Sequence, residues 1–353
     1  MGRYLIALTL PLLLLGGCAV TPDNTETQQA GHVFYPAKPD QPRIQFLTTI
    51  TGNDSYFQVE KSKFAQFVLG KEEKPKPSLG KPYGVALFDG KIYAVDTRGN
   101  GYVVFDLTSK TIRLIDGMVK PINITIGEDG TKYVTDTQLR QIKVFGRNDK
   151  LIQVFGVEGD IKPSDVAIIG DKLYVTDLQN QVVKVLNKST GQVINQIGSP
   201  GSAEGHLFHP TNLAIDSKDN IYVSNTGNFR VDEFSPEGRF VRRMGQIGVE
   251  IGKFARPKGI AIDREDRIYV VDAAFQNVQV FNNEGRLLMF FGGPGVGPGQ
   301  LYLPADIAID YDSTGYFQSY AAPGFELEYL ILVSNQFGPN KINVYGFGSM
   351  RDQ

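Results

Sequence analysis

The sequence has one cysteine, no tryptophan and three histidines among its 353 residues. One cysteine excludes an internal disulfide framework and every zinc site built on paired thiolates, and Cys-x-x-Cys-His, the haem-attachment motif, is missing. Histidine is the usual proton carrier near neutral pH, yet His32 stands alone near the N-terminus, and His206 and His209 fall within one short stretch. No Ser-His-Asp order, Gly-rich phosphate loop or zinc-ligand spacing is found. Charge of one sign is missing too, with 36 basic and 38 acidic residues. That balance gives no support to bulk nucleic-acid binding, and no nucleic-acid partner is expected. Beyond the first 20 residues no apolar run approaches spanning length.

What is present begins at the N-terminus. Arg3 precedes an apolar run from Leu5 to Leu15, interrupted by Thr9 and Pro11. It is short for a membrane helix and suits the apolar core of a signal peptide over residues 1–17. The run ends in Leu15-Gly16-Gly17-Cys18, which resembles the lipobox of bacterial lipoproteins. The resemblance implies that Cys18 is lipidated and carries three acyl chains. Each buried CH₂ contributes roughly 0.8 kcal/mol, so attachment by three chains is effectively permanent. Ala19 in place of an aspartate implies, in a Gram-negative cell, export to the outer membrane. Residues 18–42 are polar and aperiodic and read as the lipidated cysteine with a flexible tether.

Internal repetition decides the fold class. Six segments start with proline, followed two residues later by Gly, Asn or Asp and then an apolar run. They begin at Pro82, Pro121, Pro163, Pro210, Pro257 and Pro304, with spacings of 39, 42, 47, 47 and 47 residues. A second short strand ends in Asp96, Asp136, Asp177, Asn225, Asp272 or Asn335, and five of the six carry tyrosine three residues earlier. A period of roughly 40 to 50 residues with short β-rich runs is that of a four-stranded propeller blade. The predicted fold is all-β, a six-bladed β-propeller of four-stranded antiparallel blades over residues 43–348. The sixth period stops after its third strand. Arg43-Ile44-Gln45-Phe46-Leu47 is similar to Arg286-Leu287-Leu288-Met289-Phe290 of the fifth period. Residues 43–50 are therefore predicted to close the last blade as its outer strand.

The segment from Gly252 through Pro257, Gly259 and Asp263 to Tyr269, Asp272 and Phe281 resembles an NHL repeat almost throughout, and the other five copies match more loosely. With the lipobox, the whole resembles bacterial six-bladed propeller lipoproteins. The resemblance implies a fold and no single function, because such propellers bind proteins or nucleic acids and occasionally act as lyases.

Two stretches depart from the period. Residues 53–80 place Phe57, Phe64, Phe67 and Val68 at helical spacing behind Asn53, Asp54 and Ser55, which predicts a helix lying on the propeller or serving as a lid. Residues 311–329 hold Tyr311, Tyr316, Phe317, Tyr320, Phe325 and Tyr329. Such aromatic density either packs back on the underside or meets a partner.

Candidate site residues follow from the register. The second position after each proline reads Gly84, Asn123, Asp165, Asn212, Gly259 and Asp306, and propeller symmetry brings these toward the channel mouth. The position before each proline reads Lys81, Lys120, Lys162, His209, Arg256 and Leu303. Asn123, Asp165, Asn212 and Asp306, with Lys81, Lys120, Lys162 and Arg256 around them, form the predicted binding site for a partner or ligand carrying negative groups. No cofactor is required, although a divalent cation at the two carboxylates fits the pattern. The expectation is a monomeric, non-catalytic binding or scaffolding module held to the membrane through Cys18, with another envelope protein as partner. The alternative is a lyase or hydrolase using the mouth carboxylates and a bound cation.

Overall fold

The computed structural model describes residues 31–52, 54–55, 57–59, 76–156 and 161–351. The signal peptide, Cys18, Asn53, Phe64, Phe67 and Val68 lie outside the described residues. Six antiparallel blades follow one another, each opening on an inner strand at its proline: Pro82–Phe88, Pro121–Ile126, Pro163–Ile169, Pro210–Ile215, Pro257–Ile262 and Pro304–Asp310. Three further strands run outward in each blade, and the cores lie between neighbouring blades. We call the face on which the inner strands start the top.

The repeated proline and the repeated Asp/Asn have a common structural cause. Each proline pairs with the acid or amide that ends the second strand, as in Pro82 with Asp96 and Pro304 with Asn335. Proline fits this first strand position because the amide hydrogen it lacks is not needed there. The second-strand side chain then holds the incoming loop: Asp96 accepts from Lys81 N–H at 2.9 Å, Asp177 from Lys162 N–H at 3.0 Å and Asn335 from Tyr302 N–H at 2.9 Å. In all six blades the pairing slips immediately after the proline. A bulge re-aims side chains, and here it delivers the next two positions to the axis.

The last blade closes as the sequence predicts, by Ile44–Ile50 pairing antiparallel with Ile342–Met350. Gln45, fully buried, anchors this strand by donating to the Tyr320 carbonyl at 3.0 Å and accepting from Ala322 N–H at 2.9 Å. It is not the outermost strand, because Phe34–Tyr35 adds to its free edge. The sheet thus begins inside the stretch 18–42 that reads as tether, and Tyr35 donates to the Gly299 carbonyl at 3.0 Å.

The helix predicted from Phe57 onward does not start there. Phe57 is buried against Phe105, and Gln58–Val59 is extended, pairing parallel with the outer strand of blade 1 at Thr111 and Ile112. The free edge of blade 1 outcompetes the local helical spacing. In 311–329 two 3-10 turns lead into a long second strand, Phe325–Asn335. Phe317, Phe325 and Tyr329 are buried, while Tyr316 and Tyr320 stay partly exposed. Tyr316 shares a 2.6 Å hydrogen bond with Thr108 of blade 1. Most of the aromatic cluster therefore knits blade 6 to its neighbours.

Candidate functional site

The bulges bring Asn123, Asp165, Asn212 and Asp306 together in a belt across the axis, all buried. Asn123 donates to Asp165 Oδ1 at 2.8 Å, and Asn212 donates to Asp306 Oδ1 at 3.2 Å. The other carboxylate oxygens accept backbone N–H groups of the next blade round: Leu213 to Asp165 Oδ2 at 2.9 Å and Val85 to Asp306 Oδ2 at 3.1 Å. Gly84 and Gly259 complete the ring, and both need to be glycine. A β-carbon on Gly84 would collide with the Asn123 side chain, and one on Gly259 with the Asp306 backbone.

Burial raises both carboxyl groups: Asp306 is pushed up to about 7, and Asp165 also rises well above the usual range because burial is reinforced by the Asp306 charge. The amide donors hold this within bounds, since a buried carboxylate without hydrogen bonds would be far more costly. The sequence places these acids at an open mouth facing ligand; the structure places them in a cross-braced layer. Below it a channel of about 990 Å³ follows the inner strands and ends near Phe88, Asp129 and Lys188.

The register immediately after the proline, which sequence reasoning passed over, supplies the upper surface of this layer. Tyr83 reaches from blade 1 to Asn212 of blade 4, donating at 3.2 Å. Lys258 reaches inward from blade 5 and lies over the Tyr83 ring at 4.7 Å. It is only 8% exposed. Among the described residues its ammonium has neither a carboxylate nor a hydrogen-bond partner. Burial pushes Lys258 down to about 8, assisted by the charges of Arg256 and Lys81. The signal that could have found it is simple: Lys258 is the one cation in a register otherwise read Tyr83, Ile122, Ser164, Thr211 and Ala305.

Around Lys258 stand the residues that precede the prolines. Lys120, Lys162 and Arg256 are exposed and Lys81 is half-buried. Partial burial and the charges of Arg98, Lys120 and Arg256 push Lys81 down, so these groups share one positive field. His209 is pushed down by burial and by Lys258, Lys162 and Arg256. The side chains of Lys81, Lys120, Lys162 and Arg256 form no salt bridge among the described residues. Lys81 instead lies over the Phe337 ring at 5.1 Å. His206, on the same loop as His209, is held by the Glu204 carbonyl at 3.0 Å. Among the described residues no three His, Cys, Asp or Glu side chains are grouped as metal ligands.

No family model matches this sequence. Solved structures do. A Bacteroides thetaiotaomicron protein of unknown function aligns with a TM-score of 0.62 at 17% identity, over 87% of this chain and 76% of its own. A gluconolactonase of Xanthomonas campestris aligns with a TM-score of 0.57 at 13% identity, over 86% of this chain and 98% of its own. An auxiliary nutrient binding protein of B. thetaiotaomicron aligns with a TM-score of 0.57 at 12% identity, over 76% and 69%. An enzyme and a binding protein thus share this architecture. At such identities the similarity establishes the six-bladed propeller fold and nothing narrower.

Proposed function

We propose that this chain is a non-catalytic binding propeller, anchored in the bacterial envelope through a lipid on Cys18, whose top face docks a protein partner bearing negative groups. One observation carries the reading. Lys81, Lys120, Lys162, Arg256 and Lys258 converge around the axis with no acid to face, directly above a belt whose carboxylates are occupied by amide donors. Some cations elsewhere are paired, as in Arg230 with Asp232 and Arg267 with Asp263. A patch of unpaired like charge is costly to the free protein and complementary to an oppositely charged surface. Phe208, Ile247, Val249, Tyr302 and Phe337 lie exposed on the loops that lead into the inner strands of blades 4 to 6, or beside them. They add the apolar contact area that protein interfaces use.

The alternative enzyme reading needs a base or a cation at Asp165 and Asp306. Five amide donors already occupy their oxygens, those of Asn123, Asn212, Leu213, Val85 and Val166, and either role has to compete with them. We therefore favour binding.

The test is cross-linking capture from native membranes with the full chain, comparing wild type, a top-face variant (Lys81→Gln, Lys120→Gln, Lys162→Gln, Arg256→Gln) and an underside variant (Tyr316→Ser, Tyr320→Ser). Loss of the captured partner in the top-face variant alone is expected. Loss in the underside variant alone moves the docking face to the 311–329 insertion. Cys18→Ser, fractionated in parallel, should leave the membrane pellet; if it stays there, the lipid anchor is refuted.

A further inference from the structure

We propose that the top of the axis at Lys258 seats a phosphoryl group, held by the Lys258 ammonium at the centre and by Lys81, Lys120, Lys162 and Arg256 around it. The proposal rests on the reading of the top face as the binding face, and it names the chemistry recognised at the centre of that face.

The geometry begins with burial. An ammonium removed from water costs several kcal/mol unless an opposite charge or hydrogen bonds replace the lost hydration. Lys258 is 8% exposed and has only the π-face of Tyr83 at 4.7 Å. A cation–π contact returns about 1 to 2 kcal/mol at most sites of this kind, so the cost is only partly offset. The sequence around Pro257-Lys258-Gly259 adds to it, because Arg256 precedes Lys258 by two residues and Lys81 approaches from the facing blade region, both of the same sign. The Lys258 ammonium is absent from the fully buried atoms left without a partner, so it still reaches solvent, and an anion arriving from outside the chain would supply the opposite charge it lacks.

The kind of anion follows from the donors. A planar carboxylate is matched by the fork of an arginine, which offers two parallel N–H groups in one plane. Here four of the five cations are lysines, each a point charge, and they arrive from blades 1, 2, 3 and 5, so they do not define a plane. Charges arriving from several directions suit a tetrahedral group that spreads charge over three oxygens. A phosphoryl group carries roughly −1.5 to −2 at neutral pH, against about −1 for a carboxylate. The larger value better matches five cations on one axis.

Binding must also be linked to protons. Lys258 sits at about 8 in the free protein, and an adjacent dianion raises an ammonium back toward its ordinary value. Occupancy therefore takes up a proton in mildly alkaline solution, and affinity falls as pH rises through about 8.

The experiment is isothermal titration of the full-length protein in detergent with inorganic phosphate, repeated at pH 8.5 in two buffers of different ionisation enthalpy. Saturable binding with net proton uptake is expected, weakened at least tenfold by Lys258→Met and unchanged by Lys188→Met at the far end of the channel. Citrate provides the carboxylate comparison, and citrate binding tighter than phosphate overturns the phosphoryl assignment. Flotation of the Cys18→Ser chain with vesicles containing phosphatidate, against phosphatidylcholine alone, tells the source: binding to free phosphate alone assigns a soluble phosphoryl compound, and phosphatidate-dependent flotation alone assigns a lipid headgroup. Phosphate affinity untouched by Lys258→Met overturns the seat. If neither phosphate nor the phosphatidate vesicles bind while partner capture still depends on the rim cations, this inference fails and the docking face stands. If neither depends on the top face, both fail.

Discussion

Lys132 and Lys258 both end in the interior of the propeller, and their surroundings are opposite in kind. Lys132, on the second strand of blade 2, is fully buried. Its ammonium pairs with Asp149 at 2.8 Å and donates to the carbonyls of Gly146 and Arg147 at 3.1 and 2.9 Å. Asp149 in turn accepts from Tyr102 at 3.0 Å and pairs with Arg113, so the network spans the interface between blades 1 and 2. Lys258 has an aromatic ring and two cations of its own sign. The first arrangement is complete without help, as a polar network in a structural interface has to be. The second has no carboxylate or hydrogen-bond partner among the described residues.

The contrast can be broken first at Lys132. Replacing it by methionine leaves Asp149 buried with Arg113 and Tyr102 but without its shortest fully buried partner. Removing one member of a buried pair costs about 3 to 5 kcal/mol, and the remaining partners should hold the loss to about 3. Urea denaturation of Lys132→Met should show this fall. A loss under about 1 kcal/mol would mean that Lys132 is as dispensable as a surface lysine, and the comparison would fail.

At Lys258 the sign reverses. Its pKa is lowered from 10.5 to about 8 on folding, so the unfolded chain holds more protons between those values. Stability therefore rises with pH across that window, and the full cost of the buried charge is present below about pH 8. The shift corresponds to about 3 kcal/mol, part of which returns as lost packing when the side chain changes. Lys258→Met should be about 1 to 2 kcal/mol more stable than wild type at pH 7. The lead should shrink as pH rises above about 8 and reverse before pH 10.5, where only the lost packing remains. A variant less stable at pH 7 would show that Lys258 contributes to the fold as Lys132 does.

The two lysines also show which parts of this molecule are legible in its sequence. The blades are, because the proline at each inner strand and the Asp or Asn at each second strand recur wherever the loop needs the same anchor. Ring closure is legible for a similar reason: the Arg43 segment repeats a fourth-strand pattern that the sixth period lacks. The belt is half legible. Its register is visible in Asn123, Asp165, Asn212 and Asp306, but their burial is not, since it depends on amides donated across the axis from residues as far apart as Asn212 and Asp306. Lys258 is hidden because the post-proline bulge turns an ordinary strand position inward. The stretch at Gln58–Val59 misleads for a third reason, as an open sheet edge 50 residues onward outweighs local periodicity.

The smallest shift is expected beneath Lys258, in the belt. Asp306 is raised from 3.8 to about 7, so here the folded state holds the extra proton, and stability falls as pH climbs from about 4 to about 7. Asp306→Asn removes the charge and keeps the shape. The new amide would face the Asn212 amide, which donates to Asp306 Oδ1 in the wild type. Rotating the Asn212 amide by half a turn solves this: its oxygen accepts from the new asparagine, and its nitrogen donates to the Tyr83 hydroxyl that it formerly accepted from. Asn and Gln side chains exchange donor and acceptor ends in this way at little steric cost. The variant should therefore match wild type within about 1 kcal/mol at pH 5, and exceed it at pH 8, where the wild-type carboxylate is ionised. Melting midpoints of the two proteins from pH 4 to pH 8 give the comparison directly. Parallel curves would mean that Asp306 carries no linked proton on folding.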